Sequence, residues 1–140
     1  MKPIDKNTRV KKCMERSTQT LDNVDDAVAL EHWGFAINRL YFAVLYSANA
    51  LFEKYDIPIK SLRFAKSVLN KYFVIPHILD GDKFRIFSRL EKLRIKADYN
   101  VLYEITERHV LDYRQKAEAF IAAVKKLLED NTIDNTITNN

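Results

Sequence analysis

Glycine and proline are scarce in this chain of 140 residues, at two and three, and cysteine occurs once. Few turn formers, and no Asn-Gly-type pair between alternating apolar and polar runs, exclude a hairpin-rich β architecture and point to long helices with short joints. A lone Cys13 excludes an internal disulfide, and no CxxC pair or Cys/His cluster has the spacing of a zinc site. No run is apolar enough to span a bilayer: Phe35–Phe52 contains Asn38, Arg39 and Asn49, which predicts a buried helix instead. The N-terminal MKPIDKNTRVKK lacks the apolar segment of a secretory signal, so a reducing cytoplasm is the expected compartment. Also missing are a Glu-x-x-His pair, a glycine-rich phosphate loop and a GxSxG elbow. His32, His77 and His109 form no ligand pair at helical spacing, and no cofactor or metal is expected.

What is present is a soluble-type composition, 47% hydrophobic and 30% charged, sized for one domain. The pattern predicts an all-α fold, an up-and-down bundle of about four long helices plus a shorter one. Residues 1–130 read as this domain and 131–140 as a disordered polar tail. The first helix is expected from Asp5 to Leu30, where Val10, Cys13, Met14, Ser17, Leu21, Val24 and Val28 recur three and four apart. His32-Trp33-Gly34 is the expected break, with Gly34 supplying backbone freedom, before a second helix, Phe35 to Tyr55, which is apolar nearly all round. Asp56-Ile57-Pro58 ends it. A shorter helix covers Ile59 to Val74, followed by Lys83 to Ala97 with Asp82 as N-cap, and then Glu104 to Glu129.

The net charge of +4 is unevenly spread: residues 60–96 hold ten cations and three acids, and the flanking segments are neutral or acidic. Within that basic stretch Arg85, Arg89, Lys92 and Lys96 form one stripe. It is either a solvated face or a surface that tracks phosphates, helped by Lys60, Arg63, Lys66 and Lys71. Arg94 falls inside the apolar arc of the same helix, and Asp98, four residues on, is the expected structural ion-pair partner. Arg39 shares a face with Ala43, Tyr46 and Ala50, small residues that leave room for another helix. Arg39 is either an edge arginine whose stem packs or the charge of a binding cleft.

Read in order, these residues resemble the HEPN family, in the branch associated with minimal nucleotidyltransferases. Ala36-Ile37-Asn38-Arg39-Leu40-Tyr41-Phe42-Ala43 is similar to that branch's A-x-x-R-x-Y-Y-A helix. Arg94-Ile95-Lys96-Ala97-Asp98-Tyr99 is similar to its R-x-x-A-D-Y signature, and Ala117-Glu118-Ala119-Phe120 to A-x-x-F in the last helix. The resemblance covers Val10 to Leu128 and implies a homodimer whose Arg-x(4–6)-His motif faces a cleft. In active members the arginine holds RNA phosphate and the histidine assists metal-independent cleavage. Arg39 occupies the arginine position, and Tyr46 stands where the histidine is expected. A phenol, ordinarily titrating near pH ~10, is a poor general base at neutral pH. No histidine lies five to seven residues after any arginine, and Ser61 is followed by Leu62 where a Ser-His pair is expected.

The expectation is therefore a HEPN-like domain without efficient nuclease activity. It binds RNA, a nucleotide or a partner protein, such as the nucleotidyltransferase of a toxin–antitoxin pair. Arg39, Tyr46, Arg85, Arg89, Lys92 and Lys96 are the candidate binding residues. The alternatives are a metal-independent endoribonuclease with Arg39 and Tyr46 as catalytic candidates, or a purely structural dimerisation module. His77 and His109 remain open as residues that reach the Arg39 cleft from other helices.

Overall fold

A computed structural model describes residues 3–133. They form five α-helices and no strand: α1 (Lys6–Ala29), α2 (Trp33–Lys54), α3 (Ala65–Leu69), α4 (Gly81–Tyr99) and α5 (Glu107–Glu129). The four long helices run up-down-up-down around α2, which packs against each of the others. Twelve residues of α2 are buried, from Ala36 to Phe52, because every neighbour takes a different part of its apolar circumference. The core continues through Leu69, Phe73, Phe87, Leu90, Val110, Phe120 and Val124, all without solvent contact. No described helix is long and apolar enough to cross a membrane.

Polar links set the directions. Lys6–Asp56 at 2.6 Å and Arg9–Glu53 at 2.8 Å tie the start of α1 to the end of α2. Lys54 Nζ donates to the Leu128 carbonyl at 2.6 Å, holding the C-terminal end of α5 beside that of α2. Arg114 bridges α5 to Asp25 on α1. Deep between α1 and α2, Ser17 Oγ donates to the Ala43 carbonyl at 2.7 Å.

The joints depart from the sequence expectation in instructive ways. The break falls at residues 30–32, so of the expected His32-Trp33-Gly34 only His32 lies in it: Gly34 is inside the first turn of α2 with an ordinary negative φ, and the left-handed residue is Glu31 at φ 58°. His32 N–H reaches back to the Ala27 carbonyl at 2.8 Å, a closing bond that needs only one left-handed residue and takes Glu31 for it. Asp56 at φ 53° repeats the device at the end of α2, where Ile57 N–H bonds the Phe52 carbonyl. The expected helix Ile59–Val74 is three pieces: a 3₁₀ turn (Leu62–Phe64), α3, and a widened π turn (Asn70–Val74). Pro76 supplies no N–H, so the ladder loosens as it approaches and ends at His77, φ 64°. α4 begins at Gly81 with Asp80, not Asp82, in the capping position. Asp82 lies in the first turn and pairs with Lys83 at 3.3 Å. α5 starts at Glu107, later than expected, because Thr106 caps it. Of the expected tail, Ile133 packs against the core, and 134–140 lie outside the described residues.

Candidate functional site

α2 is buried on most sides but keeps one half-exposed stripe, formed by Phe35, Asn38, Arg39, Phe42, Tyr46 and Asn49 at spacings of three and four. α1 walls it on one side, and α4 walls it on the other. This stripe differs from the expected face Arg39–Ala43–Tyr46–Ala50. Ala43 and Ala50 have no solvent contact, and Ala43 takes the Ser17 bond from α1. The small residues admit a helix of the same chain.

The Arg39 guanidinium has no carboxylate partner among the described residues. Its Nε and Nη2 donate to Asn38 Oδ1 at 3.1 and 2.8 Å, a neutral acceptor that leaves the positive charge uncompensated. The same group sits 5.6 Å from the Phe35 ring centre and 5.2 Å from that of Phe42. Asn38 Nδ2 in turn donates to Asp98 Oδ2 at 3.0 Å, and Arg94 Nη1 lies 3.3 Å from that oxygen. Arg94 also stands over Tyr41 at 5.0 Å and Phe42 at 5.5 Å, so the Phe42 ring has two guanidiniums within 6 Å of its centre. Phe42 continues to Tyr46 at 6.0 Å between ring centres. The stripe is thus a run of aromatic faces punctuated by cations, with one carboxylate at its α4 edge.

Glu91, beneath that edge, is matched by Lys66 at 3.1 Å. Burial first, and then the Glu91 charge, push the Tyr41 phenol up to about 12, so Tyr41 stays protonated.

Arg94 apart, the expected basic stripe of α4, Arg85, Arg89, Lys92 and Lys96, is not brought to this stripe. Nine residues separate Arg85 from Arg94, which is half a turn in net rotation at ~100° per residue. Arg85 and Arg89 instead line a groove of about 240 Å³ against α5, with Asp82, Ile86, Tyr113 and Lys116. Lys92 and Lys96 are exposed, Lys96 covering the Tyr103 ring at 4.9 Å. None of these four has an ion-pair partner among the described residues. Of their expected helpers, Lys66 is consumed by Glu91, while Arg63 and Lys71 lie over Phe64 and Tyr72.

The HEPN domain model matches residues 10–129. The chain belongs to the HEPN domain family. A "UPF0332 protein" of Thermotoga maritima is 31% identical over 120 residues, covering 82% of this chain and 87% of that one. "Putative toxin MJ0142" of Methanocaldococcus jannaschii is 25% identical over 124 residues, 89% and 84% of the two chains. "Putative toxin MJ0605" of the same organism is 30% identical over 95 residues, 68% and 70%.

In this HEPN domain no hydrogen bond joins a histidine to Arg39 or Tyr46 among the described residues. His109 is engaged at the start of α5, where its Nδ1 accepts the Thr106 N–H at 3.0 Å. His77 is exposed in the turn after the π segment. His32 is the N-cap of α2, because the helix starts at Trp33, and that puts it seven residues before Arg39, two turns up the same face. Sequence reasoning missed this position by placing the helix start two residues late. It also missed Asn38, Phe42 and Asn49, whose three-and-four spacing with Arg39 and Tyr46 was the available signal.

Proposed function

We propose that this HEPN domain binds single-stranded RNA along the α2 stripe, without cleaving it efficiently, and works as a homodimer. The observation that supports this reading is the Arg39 guanidinium, which is paired only to a neutral amide and flanked by Phe35 and Phe42. A cation without a counter-charge draws phosphate, and bases stack on whatever aromatic face lies beside it, contributing about 1–3 kcal/mol each. Efficient cleavage also needs a positioned acid or base, worth roughly 10²–10⁴-fold, and among the described residues no histidine is bonded into the stripe. The groove with Arg85 and Arg89 lies on the other side of α4, so it serves as a separate anionic contact. A nucleotidyltransferase is the protein partner that the family resemblance suggests.

The names of two relatives favour a second reading, a toxin acting as a metal-independent endoribonuclease centred on Arg39. Its best-placed assistant is His32 at the end of the stripe. One experiment separates the two readings: labelled single-stranded RNA is incubated without metal with wild type, Arg39→Ala and His32→Ala. The expected outcome is intact RNA, bound by wild type and by His32→Ala, with affinity falling at least tenfold in Arg39→Ala. RNA cut by wild type and spared by both variants overturns the binding-only reading.

A further inference from the structure

The groove of about 240 Å³ between α4 and α5 has an apolar side chain on each wall, Ile86 from one helix and Tyr113 from the other. Its cations are of two kinds. Lys116 is already engaged: its Nζ pairs with Asp112 at 3.0 Å and stands 4.9 Å from the Tyr113 ring centre. Arg85 and Arg89 are exposed and have no ion-pair partner among the described residues. They are four residues apart on α4, so they rise from the same wall about 5–6 Å from each other.

Size and charge narrow what fills it. The volume is below the roughly 300–1,000 Å³ of small-molecule sites, and suits an inserted side chain rather than a whole ligand. Negative charge stands beside the arginines: Asp82 lines the groove, tied to Lys83 at 3.3 Å, and Asp112 stands behind Lys116. A polyanionic strand meets both acids, and the Tyr113 face under Lys116 is closed to a stacking base. A single pair of carboxylates meets neither obstacle. Arginine takes a carboxylate through two parallel N–H···O bonds, and glutamates four apart on a helix match guanidiniums one turn apart.

We infer that the α4–α5 groove docks an acidic amphipathic helix of a partner protein. Two of its carboxylates, one turn apart, bind Arg85 and Arg89, and an aliphatic side chain beside them enters against Ile86 and Tyr113. The inserted side chain supplies affinity, as in other helix-in-groove contacts, and the charge pairs fix the register. The inference does not depend on the RNA reading, because the groove and the α2 stripe lie on different sides of α4.

The probe is an alanine-based helical peptide of about 16 residues centred on Glu-Leu-Ala-Leu-Glu, titrated into the isotope-labelled full chain and followed by amide chemical shifts. Shifts should move at Arg85, Ile86, Arg89, Tyr113 and Lys116 and reach saturation. Replacing both glutamates of the peptide by glutamine, or making Arg85→Ala or Arg89→Ala, should weaken binding about tenfold, as expected for loss of a charge-assisted contact. Lys125→Ala, which removes an exposed cation of α5 outside the groove, should leave binding unchanged. Absence of shifts at the groove, or equal binding of the glutamine peptide, overturns the inference. Single-stranded RNA that displaces the peptide from the groove assigns it to nucleic acid and overturns it too. An Arg85→Ala protein that turns from dimer to monomer assigns the groove to a second copy of this chain, with the same consequence.

Discussion

Asp98 is the residue on which the α4 edge of the stripe depends. One of its oxygens serves both Arg94 and Asn38, and Asn38 in turn holds Arg39. Side-chain exposures of 20% for Arg94 and 26% for Asp98 put the pair between a surface bridge and a buried one. Asp98→Ala should therefore cost about 1–2 kcal/mol, above a typical exposed pair and below a fully buried one. Urea unfolding checks this, and a loss under about 0.3 kcal/mol would mean that solvent already satisfies both donors. Arg39, Arg94 and Asp98 were legible in the sequence because a charge inside an apolar run is conspicuous. Asn38 was not, because a carboxamide one residue before an arginine signals nothing until the rotamers bring the two together.

Among the elements, α2 decides most, and its contact with α1 is the closest. Ser17 and Ser47 are fully buried on the two helices, Ser17 bonded across to α2 and Ser47 to its own helix at Val44. Ser17→Ala should cost about 1 kcal/mol, since the Ala43 carbonyl keeps its helical bond and only the extra one is lost. Ser17→Leu adds bulk where no space exists and should cost about 1–3 kcal/mol more, with α1 displaced. The midpoint of thermal unfolding orders the three proteins, and equal midpoints for alanine and leucine would show a looser interface than the structure has. The existence of four long helices was readable from apolar periodicity. Their ends were less so: Glu31 and Asp56 close turns through a left-handed backbone that glycine more often provides, and composition pointed to Gly34 instead.

At the scale of the whole molecule, the end where α4 leaves the bundle exposes apolar surface that one chain does not use. Val101 is 97% exposed, Leu102 93% and Tyr99 74%. Surface of this kind marks an interface, which is where the proposed homodimer has most to gain. Light scattering on the purified protein should give twice the 16.4 kDa chain mass. Val101→Asp combined with Leu102→Asp should halve that value with helicity by circular dichroism unchanged. A wild type that runs as a monomer at micromolar concentration would remove the dimer.

The sequence by itself determined the class of fold and the family. Periodicity, scarce turn formers and three ordered motifs are local properties, and they survive without knowledge of what packs on what. Only the tertiary structure decided which side of α2 stays open. That side is whatever α1, α4 and α5 leave uncovered, and an almost wholly apolar helix does not advertise it.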